Sequence, residues 1–174
     1  RLAPEAGIDR TRCSLLIEEV VATHMPGDVA LLVADFTVSQ RGDETTSGML
    51  IHWLDARFRE VDNVEVDTTI QEVKVYAWEQ IFVALTHGDK GGKRTKNTLA
   101  TNYPLEWARA KVREFHKGHE HHEQVKDEFG ITERTLPTGA KVDQFHKDNS
   151  YDSAHRRFQI FEYSGDWLES IHYV

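Results

Sequence analysis

Leu105–Phe129, LEWARAKVREFHKGHEHHEQVKDEF, can be read in two ways, and the choice between them decides the fold. At helical spacing Ala108, Val112, Phe115, His119, His122, Val125 and Phe129 form one stripe, which brings His119 and His122 together and turns His121 to the opposite side. Gly118 inside such a helix costs about 1 kcal/mol relative to Ala. In the competing reading a helix ends near Ala110, residues 111–116 form a strand, and Gly118 turns the chain. Extended backbone then points His119 and His121 to one side, with His122 opposed. Only this second reading builds a site from alternate histidines; the first leaves them on a solvated helix face.

Working outward, Val64 to Thr69, Val73 to Trp78 and Ile81 to Thr86 are short β-rich stretches, so the middle of the chain is sheet-forming. His87 lies at a strand end, in Leu85-Thr86-His87-Gly88-Asp89. Residues 90–96 then carry Lys90, Lys93, Arg94 and Lys96 around Gly91-Gly92, a flexible basic loop that can serve as a phosphate-attracting rim. Upstream, residues 10–23 read as a helix stopped by Met25-Pro26-Gly27, and residues 29–38 read as a strand apolar enough for burial on both faces. Thr46 or Ser47 caps a helix whose apolar positions are Met49, Leu50, Trp53, Leu54 and Phe58. Toward the end, residues 142–146 and the strand 158–163 are followed by Gly165-Asp166, a hairpin turn into residues 167–173.

At 174 residues the chain has the length of a single domain, 1–174, with a core of its own. With 39% hydrophobic and 29% charged residues it has an ordinary globular composition, and its apolar runs are too short to span a membrane. A net charge of −8 argues against a protein that coats nucleic acid electrostatically. Cys13 is the single cysteine, so no internal disulfide forms, thiolate ligation lacks partners, and a reducing cytoplasm is the expected compartment. Any metal would be held by His, Asp, Glu or Asn. The first residues are Arg1-Leu2-Ala3-Pro4, with neither Met nor a signal-like segment, which leaves room for sequence upstream.

Leu85-Thr86-His87-Gly88-Asp89 followed by Gly118-His119-Glu120-His121 resembles the last two metal-binding blocks of the calcineurin-like metallophosphoesterases, with a flavour similar to phage members of that superfamily. The resemblance covers about residues 29–163. It implies an α/β fold, a layered metallophosphoesterase-like β-sandwich flanked by helices and incomplete at its N-terminus. It also implies a metal-dependent phosphoester hydrolase, phosphodiesterase or DNA exonuclease-like, working in host cytoplasm if phage-encoded. Carried over, His87 and His119 bind one divalent ion and His121 its neighbour, Mn2+ first, with Zn2+ or Fe as alternatives. Two such ions polarise a phosphoryl group and supply a hydroxide at neutral pH. Asp43 would assist catalysis, and Asp89, Asp143 and His146 would stand behind the ligands and orient them. A phosphoester substrate, nucleic acid among the options, would meet Lys90, Lys93, Arg94 and Lys96. A protein partner or a second copy of the chain stays open.

The match departs from the family in Gln40-Arg41-Gly42-Asp43-Glu44, where Arg41 stands in place of a metal-binding Asn and Gly42 in place of a His that assists the leaving group. A guanidinium cannot ligate a cation and glycine cannot donate a proton. The family's opening Asp-x-His block finds its nearest candidate in Asp35-Phe36-Thr37, which lacks the His, and its Gly-Asp block has no match. Two readings follow: a hydrolase with those blocks supplied upstream, or a catalytically inactive remnant serving as a structural or interaction module.

Overall fold

The computed structural model describes residues 29–33, 46–61, 64–69, 71–89, 92–120, 122–137 and 155–173. Strand β3 (Ile81–Thr86) is buried along its whole length and organises the rest. Its odd residues Ile81, Val83 and Leu85 join Leu136, Phe161 and Tyr163 in one apolar cluster, while Phe82 and Ala84 join Leu99, Ala110, Phe115 and Ile131 in another. A strand with apolar side chains on both faces needs cover on both faces. One cover is a second sheet and the other is a pair of helices.

The five-stranded sheet has the order β2-β3-β4-β6-β5, with β2 Val73–Trp78, β4 Val112–Lys117, β5 Gln124–Glu128 and β6 Ile131–Thr135. Strands β3, β4 and β6 are mutually parallel, and β2 and β5 run antiparallel at the two edges. Parallel neighbours require a crossover, which α2 (Gly92–Asn102) and α3 (Pro104–Arg109) supply between β3 and β4. Pro104 sits in the first turn of α3, where its missing N–H is no loss. The second sheet is antiparallel, β1-β7-β8, built from β1 Val29–Val33, β7 Gln159–Tyr163 and β8 Leu168–Tyr173. Helix α1 spans Thr46–Phe58 and buries Leu54 and Phe58, one turn apart. The layered α/β architecture read from the sequence is therefore the one observed: two stacked sheets with helices on the outside.

Residues 105–117 follow the second of the two readings, but the extended backbone it gave His119 is not found, since β4 ends at Lys117 and His119 takes φ +67°, and His121 lies outside the described residues. Helix α3 ends at Arg109, Ala110 is extended (φ −70°, ψ 133°), and β4 starts at Val112. The backbone N–H groups of Lys111 and Val112 both donate to Gln80 O, at 2.8 and 3.1 Å, which pins the start of β4 beside β3. Tertiary pairing wins over the helical stripe because a strand here exposes Glu114 and His116 to partners in the second sheet, described below.

Other local expectations change. Residues 64–69 form no strand; Asp67 instead accepts hydrogen bonds from Thr69 and from the Tyr76 hydroxyl, and its carboxyl is held down to about 2, these bonds and Lys74 outweighing the upward push of burial. The basic loop is helical from Gly92 onward. Trp53 is exposed on α1 rather than buried with Leu54. Strand β1 is an edge of the small sheet, paired only to β7 among the described residues, and it covers 29–33 of the expected 29–38, the remaining positions lying outside the described residues. Among the described residues no helix is long and apolar enough to cross a membrane.

Candidate functional site

Parallel strands leave their carboxyl ends open to ligands, and three of them, β3, β4 and β6, end side by side. His87 follows β3 directly, and Gly118-His119-Glu120 follow β4. Strand β1 ends there too. Its Val33 pairs with Gln159 of β7, and β7 runs against β4, since Tyr163 bonds Glu114 while Phe161 lies on His116.

The two loops are held together by backbone. Gly118 N–H donates to His87 O at 3.1 Å and, more weakly, to Thr86 O at 3.4 Å. Gly88 has φ +99°, and a Cβ placed on it would lie 3.2 Å from Gly118 O and 3.3 Å from Lys117 Cβ. Only glycine accepts both that torsion and that approach. The result is that the rings of His87 and His119 lie 5.3 Å apart, edge to face at 68°. Two imidazoles sharing one ion through bonds of about 2.1 Å at a tetrahedral angle have ring centres about 5 Å apart. The 5.3 Å separation of the two ring centres is of that length. Among the described residues no group of three His, Cys, Asp or Glu side chains gathers around a metal position. His119 itself takes φ +67°, a left-handed conformation that non-glycine residues adopt at some cost.

Of the other residues singled out by sequence, Asp43, Lys90, His121, Asp143 and His146 lie outside the described residues, as does the side chain of Lys93. Asp89 and Arg94 are exposed. Lys96 is not open to a phosphate: its ammonium is enclosed, 2.6 Å from both Glu128 and Glu133. A helix carries it inward over the sheet, a placement that a loop reading could not anticipate. Lys117 continues the chain of charges, 3.3 Å from Glu133 and 2.8 Å from Glu120 in the site loop.

Beneath the loops lies a buried polar cluster to which sequence reasoning assigned no role. Glu114 accepts hydrogen bonds from His116 Nε2 at 2.6 Å, from the Tyr163 hydroxyl at 2.6 Å, and from Arg134 Nη2 at 2.9 Å. Burial pushes its carboxyl up, yet the donors from His116, Arg134 and Tyr163 outweigh that and hold it at about 2. Burial pushes His116 below its ordinary value, and its Nδ1 is buried without a hydrogen-bond partner among the described residues. The ring of His116 packs at 4.5 Å on Phe161 of the opposite sheet, and the Arg134 guanidinium lies 5.5 Å over the Phe161 ring. The signal available in sequence was the Glu114-x-His116 alternation, which puts both on one face of a strand.

No protein-family model matches the sequence, and neither does any curated protein. Among solved structures the chain is similar to Vps29 of Entamoeba histolytica, determined with Zn2+, at 15% identity over 65% of this chain and 63% of that one, with a TM-score of 0.40. It is also similar to a conserved uncharacterised protein of Streptococcus pneumoniae described as a predicted phosphoesterase. That match has 10% identity over 86% of this chain and 91% of that one, with a TM-score of 0.43. The chain thus spans less than two thirds of the Vps29 chain. Likeness at this level places no residue, and the chemistry rests on this chain's own side chains.

Proposed function

We propose that the chain, as one domain, is a metal-dependent phosphoester hydrolase of the calcineurin-like metallophosphoesterase kind, acting on a phosphodiester, with His87 and His119 on one divalent ion and His121 on its neighbour. The supporting observation is the His87–His119 pair, 5.3 Å between ring centres, at the carboxyl ends of adjacent parallel strands. Imidazole donors suit Mn2+, Zn2+ or Fe2+, and Mn2+ is the expected ion. An ion bound there polarises a phosphoryl oxygen and activates water. The chain's own part is to present two imidazoles at a fixed separation, with the backbone bonds of Gly118 setting it. Asp43, Asp89, Asp143 and His146 complete the reading as assisting and orienting groups. Lys90, Lys93 and Arg94 form the rim that draws an anionic substrate such as a nucleic-acid strand; Lys96 drops out of that rim.

Equilibrium dialysis of the wild type against Mn2+ or Zn2+ is expected to show saturable binding, weakened about 10- to 100-fold in His119→Ala. Hydrolysis of bis-p-nitrophenyl phosphate should be lost in the same variant. Absence of metal binding in the wild type would falsify the hydrolase reading. Arg41 and Gly42, which can neither ligate a cation nor donate a proton, favour a second reading: an inactive relative used as a structural or interaction module. Tight metal binding without hydrolysis is its signature.

A further inference from the structure

Resting on the metal-site reading above, we propose that Lys117 is the positioning residue for His119: its ion pair with Glu120 holds His119 in the left-handed conformation that sets its ring against His87. Three observations carry this. His119 sits at φ +67°, a conformation that L residues other than Asn and Asp rarely hold without help. Two bonds close across it, one from Glu120 N–H to Gly118 O at 2.8 Å and the other from Lys117 Nζ to Glu120 Oε1 at 2.8 Å. Lys117 is itself anchored, because Glu133 on β6 lies 3.3 Å from the same ammonium and is bound in turn by Lys96 from α2.

The anchoring matters. An isolated surface pair contributes little, since water screens it and two long side chains must be ordered. Here the Lys117 side chain is only 18% exposed and is already held on the sheet by Glu133, so only the Glu120 side chain has to be ordered to complete the bond. An ion pair and a backbone strain of comparable, modest size oppose one another, so the position of His119 is poised and a single substitution tips it. The same substitution leaves the fold intact, because Glu133 keeps its bond to Lys96.

The test begins on metal-free protein, by measuring the nuclear Overhauser contact between the ring protons of His87 and His119. Wild type and Lys117→Arg are expected to show it; Lys117→Met, which keeps the aliphatic stem, and Glu120→Ala, which removes the acceptor, are expected to lose it. Titration with Zn2+ should then give affinity about tenfold weaker in Lys117→Met and Glu120→Ala and within about twofold of wild type in Lys117→Arg. Retention of the ring contact in Lys117→Met and Glu120→Ala overturns the proposal. A wild type that shows the ring contact and binds no Zn2+ overturns the metal reading, while loss of the contact in the two variants still upholds the positioning role. Should Lys117→Met fail to fold, Glu120→Ala, altered only at a side chain 40% exposed, carries the test.

Discussion

Glu114→Ala is expected to remove about 3–5 kcal/mol of folding stability, read as a lowered midpoint in urea denaturation. The carboxylate is the shared acceptor for His116, Arg134 and Tyr163, drawn from β4, β6 and β7, so it joins the two sheets at the centre of the sandwich. Removing it leaves three donors facing one another in the interior, the Arg134 charge among them, without an acceptor. Single domains have only about 5–15 kcal/mol in total, so this loss takes a large part of it. Glu114→Gln, which keeps the shape and an acceptor oxygen, should lose distinctly less. Equal losses for the two variants would show that packing, not charge pairing, holds the sheets.

The same cluster fixes the direction of the pH dependence. Glu114 titrates at about 2 in the folded protein against an ordinary 4.5, so the unfolded chain takes up a proton first as pH falls through that window. Stability present above pH 4.5 is therefore lost toward pH 2, by about 3 kcal/mol from this group. His116 is also depressed, by burial above all. Below its ordinary 6.5 the unfolded chain binds a proton that the folded one refuses, so stability begins to fall there as well. Tyr163 is displaced upward by burial and by Glu114, which adds a loss of stability on the alkaline side, above pH 10. Stability measured from pH 4 to 8 should decline below about 6.5, with that part of the slope absent in His116→Gln.

Gly88→Val is expected to have the second-largest effect, about 3 kcal/mol in stability together with separation of His87 from His119. Its φ of +99° is closed to a β-branched residue, and the new Cβ would meet Gly118 O at 3.2 Å, a backbone atom that cannot swing aside. Relief requires the loops after β3 and β4 to part, which breaks the bond from Gly118 N–H to His87 O. The ring contact between the histidines should vanish and any affinity for a divalent ion fall about a hundredfold. A Gly88→Val protein that keeps that contact at wild-type stability would show that the close approach of the loops does not set the site.

Local signals were enough for much of this chain. Val73–Trp78 and Ile81–Thr86 were readable because continuous β-rich residues bounded by polar turns mean a strand in almost any context, and Gly165-Asp166 marks its hairpin for the same reason. His87 at a strand end and Gly118 before the histidines were likewise visible, since each depends only on its neighbours in sequence. What residues 105–129 would become was not readable, because Ala108, Val112 and Phe115 satisfy a helical period and Val112 to Lys117 an alternating one equally well. The partners that break the tie are remote: Arg134 is 20 residues from Glu114 and Tyr163 is 49. Lys96 shows the same limit, for its position near glycines suggested an open rim while its charge is enclosed by carboxylates 32 and 37 residues away. Periodicity and turn chemistry act within a few residues and belong to the sequence alone. Which face of a strand is buried, and which charge finds a counter-charge, depends on contacts that exist only once the two sheets and the crossover helices have packed.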